Sequence, residues 1–161
     1  MADARLVLVR HAKAEQGGRD VDRPLNARGR ADAAAVGRWL RDQSLVPDRA
    51  LVSPSRRTRQ TWQLCAAAAE ADIDEAVEAG IYSNSVDNLR RVIADGGGDA
   101  MTLALVGHNP SVHELTLELA GRAGAEELQE FPTATVAVFS VAGGWADLSD
   151  ATLISVATCR G

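Results

Sequence analysis

Two short apolar runs constrain this chain most. Leu6–Val9 places four apolar residues in a row and is followed at once by Arg10 and His11. Met101–Val106 is the second run, followed by Gly107 and His108. A brief continuous apolar stretch, bounded by turn signals and too short for a helix, reads as a strand buried on both faces. Each run ends in a residue able to hold charge. Taken alone, Arg10 and His11 are either the solvated end of a strand or groups delivered to a fixed point.

Between these runs the hydrophobic period changes. "PLNARGRADAAAVGRWLRDQ" has Asn26 as a helix N-cap, with Val36, Trp39 and Leu40 at helical spacing. A short strand at Ala50–Val52 is stopped by Pro54. The helix after it sets Trp62, Cys65, Ala66 and Ala69 on one face, making Cys65 a small core residue. Another helix is expected near Val86–Ala94, ended by the glycines at 96–98. After the second apolar run, Gly107–Pro110 reads as a sharp turn. Asn109 is expected as cap and Pro110 as first helical residue, with Val112, Leu115, Thr116 and Leu119 facing inward. "TATVAVFSV" and "ATLISVAT" read as a terminal hairpin or two edge strands. Apolar runs alternating with helices predict an α/β fold.

At 161 residues and 46% hydrophobic the chain suits one domain, expected to span 1–161. It opens with no basic start followed by an apolar run, and no stretch reaches the roughly 20 apolar residues of a spanning helix. Its two cysteines, Cys65 and Cys159, lack metal or disulfide spacing. A reduced cytoplasmic protein is expected.

Charge is unevenly spread. Residues 1–60 carry 13 Lys/Arg against 7 Asp/Glu, whereas the remainder carries 4 against 15. Six aromatics, no basic run and an acidic total argue against nucleic-acid binding. A local concentration of arginine in an acidic protein fits an anion site. "SPSRRTRQT" puts Arg56, Arg57 and Arg59 in the first turns of a helix, where the helix dipole disfavours cations. Locally unfavourable choices of this kind mark functional sites. In open α/β sheets ligands bind beyond the carboxyl ends of strands. Arginines, histidines and a positive helix end gathered there describe a receptacle for a dianion such as phosphate.

Strand–"RHA", "RPLNARG", "LVSPSRRTRQT" and "LVGHNP", in that order over residues 6–110, resemble the histidine phosphatase (phosphoglycerate mutase-like) superfamily, and most of all its small SixA-type phosphohistidine phosphatases. One departure is Ala12, where the family commonly has glycine; a small residue is kept. The resemblance implies a three-layer α/β/α sandwich with a mostly parallel central sheet. By the same resemblance His11 is the nucleophile, forming a phosphohistidine that water hydrolyses. Neutral imidazole suits that role at an ordinary pKa of about 6.5. Arg10 and Arg57 would clamp the phosphoryl oxygens, with Arg57 favoured over Arg56 by its place in the motif. His108 would donate a hydrogen bond to the transferring group.

Other residues carry alternatives. Arg23 either lines the rim or pairs with Asp20 or Asp22. Glu78, in "EAVEAGIYSNS", is the nearest match to the superfamily's acid, yet Glu75 and Glu78 equally read as a solvated acidic face. His113 reads as a helix-surface or core residue, and i, i+5 spacing from His108 does not build a metal site. No metal or other cofactor is expected. The substrate class implied is phosphohistidine on a protein, the alternative a sugar phosphate or nucleotide ester. A rival of another class is a module that binds phosphate without turning it over; retention of His11 weighs against it.

Overall fold

The computed structural model describes residues 3–161. Its centre is a six-stranded sheet in the order β3-β2-β4-β1-β5-β6. The strands are β1 (Ala4–Arg10), β2 (Arg49–Val52), β3 (Asp74–Val77), β4 (Thr102–Gly107), β5 (Thr135–Val141) and β6 (Thr152–Thr158). β3, β2, β4 and β1 are mutually parallel, while β5 runs antiparallel to both β1 and β6. The helices are α1 (Ala27–Asp42), α2 (Arg56–Ala68), the four-residue α3 (Ala79–Tyr82), α4 (Val86–Gly96) and α5 (Ser111–Ala120).

The pleat of β1 separates two cores. Leu6 and Leu8 face Leu89, Ile93, Val112 and Leu115 of α4 and α5, whereas Val7 and Val9 face Val36, Leu40, Trp62 and Cys65 of α1 and α2. Both sets are buried, so β1 is apolar without alternation. The result is the expected three-layer α/β/α sandwich. Among the described residues no helix is long and apolar enough to cross a membrane.

Several boundaries differ from expectation. α5 begins at Ser111 with Pro110 in the cap position, and Asn109 is not the cap. The Asn109 side chain instead donates to the Phe131 carbonyl at 2.9 Å. Met101 lies outside β4 and is exposed. β3 went unread because its four residues, DEAV, are half-buried or exposed and carry no apolar run. Asn26 does cap α1, its Oδ1 accepting from Gly29 N at 2.8 Å.

Candidate active site

β1 and β4 are register neighbours, with Arg10 opposite Gly107. The ladder extends one residue further, because His11 N donates to Gly107 O at 3.1 Å. His11 and His108 therefore leave adjacent buried strands at the same sheet edge, their ring centroids 5.4 Å apart. Gly107 matters here: a Cβ would meet Ile81 and Val112 at 3.0 Å, so the strand end passes close beneath both.

The loop after His11 is held by α2. Thr61 Oγ1 accepts from Ala12 N at 3.0 Å and donates to Arg57 O at 2.7 Å. The Ala12 carbonyl lies 2.7 Å from His11 Nδ1. A carbonyl only accepts, so Nδ1 carries the proton and Nε2 keeps a free lone pair. His108 is fixed the opposite way. Its Nδ1 faces Arg57 Nη2 at 3.3 Å, and a guanidinium only donates. The His108 proton is thereby assigned to Nε2, donating to Ser53 Oγ at 2.7 Å.

Both rings are neutral across the physiological range. Burial, aided by the neighbouring His108 ring and the Arg57 and Arg10 charges, overcomes the hydrogen bond to Ala12 and pushes His11 down to about 3. Burial and the Arg57 charge hold His108 at about 4. Burial also lowers Arg10. Arg10 Nη1 donates to Phe131 O at 3.0 Å, a carbonyl shared with Asn109.

These groups line a cavity of about 750 Å³ together with Lys13, Gln16, Asp20, Arg23, Tyr82, Asn84 and Thr133. Arg57 is buried in its wall, whereas Arg56 and Arg59 are exposed and outside it. Arg10 Nε and Arg57 Nε are buried donors without an acceptor in the protein. Buried polar groups are nearly always satisfied, so this pair is prepared for an acceptor-rich ligand. An oxyanion supplies such acceptors.

Arg23 lines the cavity and also ion-pairs with Asp20, its Nη2 3.0 Å from Oδ1, so the two sequence alternatives coexist. Glu78 is half-buried in the N-cap position of α3 and does not line the cavity. His113 stands apart as well, its Nε2 donating to Leu128 O at 2.7 Å and its ring stacked on Phe131. It supports the segment whose carbonyl holds Arg10. Among the described residues no three His, Cys, Asp or Glu side chains gather to ligate a metal.

Sequence reading missed Asp20 and Tyr82 as site residues. Tyr82 OH donates to Asp20 Oδ2 at 2.6 Å, and its ring meets His108 edge-on with centroids 5.7 Å apart. Asp20 also receives Arg57 Nη2 on Oδ2 at 3.1 Å and Arg57 Nη1 on its main-chain oxygen at 2.7 Å. In the sequence Asp20 is hidden in the mixed-charge stretch "RDVDR". The single tyrosine of the chain sits in a segment without periodicity.

Known proteins resemble this chain in sequence and fold. Residues 6–78 match the profile of the histidine phosphatase superfamily, branch 1. An uncharacterized protein of Mycobacterium tuberculosis is 36% identical over 148 residues, covering 87% of this chain and 91% of that protein. The structure of a candidate phosphohistidine phosphatase SixA from Nakamurella multipartitia superposes with a TM-score of 0.88 at 33% identity, over 99% of this chain and 98% of the other. Its counterpart from Agrobacterium tumefaciens gives 0.82 at 29% identity, over 96% and 97%. With the fold, the ordered motifs and these relatives in agreement, the chain belongs to the histidine phosphatase superfamily.

Proposed function

We propose that this phosphatase hydrolyses phosphohistidine on a protein, through a phosphohistidine formed on its own His11. The observation that carries the reading is the acid–base make-up of the cavity. His11 Nε2 is an unprotonated nucleophile beside buried guanidinium donors. The one carboxylate lining the cavity among the described residues is Asp20. The Tyr82 hydrogen bond, then those from Arg23 and Arg57, hold that carboxyl far below the usual range, so it has no proton to give.

In the first step the Nε2 lone pair forms a bond to phosphorus and the substrate's bond breaks, its electron pair leaving with the departing group. Water then attacks phosphorus; the N–P bond breaks with its electron pair returning to His11 Nε2, and the phosphoryl group leaves with the water oxygen and its protons as inorganic phosphate. Arg10 and Arg57 hold the phosphoryl oxygens as charge shifts among them. Burial and, after it, the Arg57 charge keep His108 at about 4; an entering dianion offsets the second of these and so favours a second proton on Nδ1. An alkoxide leaves only with help from a placed acid, whereas phosphohistidine protonated on its far nitrogen leaves as neutral imidazole. The similarity to the candidate phosphohistidine phosphatase of Nakamurella multipartitia supports the same substrate class.

The test compares kcat/KM for a phosphohistidine peptide, an aryl phosphate and an alkyl phosphate, with and without EDTA. The expected order is peptide, aryl, alkyl, insensitive to chelation. Brief mixing with labelled substrate should leave acid-labile, base-stable label that His11→Ala abolishes. An alkyl ester as the best substrate, with that activity removed by Glu78→Gln, would assign Glu78 as an acid and make this a small-molecule phosphatase. Activity lost in EDTA and restored by a divalent metal would overturn the metal-free scheme.

A further inference from the structure

A carboxylate is out of place in a cavity built for a dianion. Asp20 is nevertheless held there by three side chains: Tyr82 and Arg57 on Oδ2, and Arg23 on Oδ1. A carboxylate offers about four lone-pair sites, so one site on Oδ1 remains open. Its side chain is 53% exposed, in a three-residue 3-10 helix that follows Gly17 and Gly18, both at positive φ. For phosphate alone this charge is a liability, because it competes for Arg57.

It becomes useful when the leaving group arrives positively charged. We infer that Asp20 is a specificity-determining residue whose free Oδ1 site accepts a hydrogen bond from the protonated far nitrogen of a substrate phosphohistidine. This rests on the phosphohistidine reading above and adds how the site recognises that class. Phosphohistidine protonated on its far ring nitrogen is cationic there and fits the acceptor; a phosphate ester brings no such donor.

The chemistry fixes where the effect appears. As His11 Nε2 bonds to phosphorus, the substrate's N–P bond breaks and its electron pair returns to the ring nitrogen. The proton stays on the far nitrogen, and the ring leaves neutral. Positive charge on the leaving group therefore disappears as the bond breaks. Asp20 stabilises the bound, protonated substrate more than the transition state. It also keeps that proton in place at higher pH. The signature is a change in KM and in the alkaline limb of the kcat profile, which reports ionisations in the bound complex.

The experiment measures kcat and KM of wild type and Asp20→Asn from pH 6 to 10, with a phosphohistidine peptide, 4-nitrophenyl phosphate and an alkyl phosphate. Circular dichroism and Tm confirm that the variant is folded. The expected result is a KM increase at least tenfold larger for the peptide than for the aryl ester. The alkaline limb of kcat should move to lower pH for the peptide alone. Equal losses on all three substrates would overturn the inference and leave Asp20 as a tether for Arg57. A kcat loss confined to the alkyl ester would overturn it too, making Asp20 a proton donor. Failure of the underlying reading is seen separately: wild type would then prefer an ester before any variant is compared.

Discussion

At the scale of single residues, neighbours in sequence have opposite fates. Arg56 and Arg57 share the first turn of α2, yet one is exposed and the other buried against His108 and Asp20. Arg57→Ala should cost about 2.7–4 kcal/mol of transition-state stabilisation, the scale for one preorganised donor in a water-poor site. Arg56→Ala should change kcat/KM by less than about threefold, as an exposed charge outside the cavity. Steady-state kinetics on an aryl phosphate decides the matter. Equal losses would mean that burial of the Arg57 guanidinium is structural rather than directed at the phosphoryl group.

Elements were legible in proportion to how their burial shaped composition. β1 and β4 are covered on both faces and appear as unbroken apolar runs. α1 announces itself through the Asn26 cap. β3 is an exposed edge of mixed polarity, and no local pattern could have disclosed it. The histidines and Arg57 could be placed because strand ends and a helix start carry them. The Tyr82–Asp20 contact joins residues 62 apart in sequence and leaves no period to detect. Some of the motif residues prove to be scaffolding. In "NARG", Gly29 lets α1 press against the loop after β1, and a Cβ there would lie 2.0 Å from Lys13 O. Gly29→Ala should therefore destabilise by about 1–3 kcal/mol, the usual penalty for overpacking, despite alanine's higher helix propensity. Each kcal/mol is roughly 2–4 °C of Tm. An unchanged Tm would show that α1 crosses Lys13 with room for a methyl group.

For the whole molecule, the two buried neutral histidines couple stability to pH. Their folded pKa values, about 3 for His11 and about 4 for His108, lie below the ordinary 6.5 of the unfolded chain. Between those limits the unfolded state binds protons that the folded state refuses, so stability rises with pH and is lost on acidification. Urea midpoints should fall from about pH 6.5 toward pH 4, and His11→Asn should flatten part of that slope. A midpoint independent of pH over this window, or an equal slope in the variant, would contradict the burial of His11. The β1–β4 register has a further consequence, this one for protein engineering. In the proposed reaction His11 and His108 work from the ends of paired core strands, whereas Asp20 and Arg23 hang from a surface segment that shares no ladder with them. The segment is nevertheless joined to the site, because the main-chain oxygen and carboxylate of Asp20 hold Arg57. A segment grafted over residues 16–24 to admit new phosphorylated substrates must therefore keep Asp20 where it is, or the buried guanidinium loses its partners.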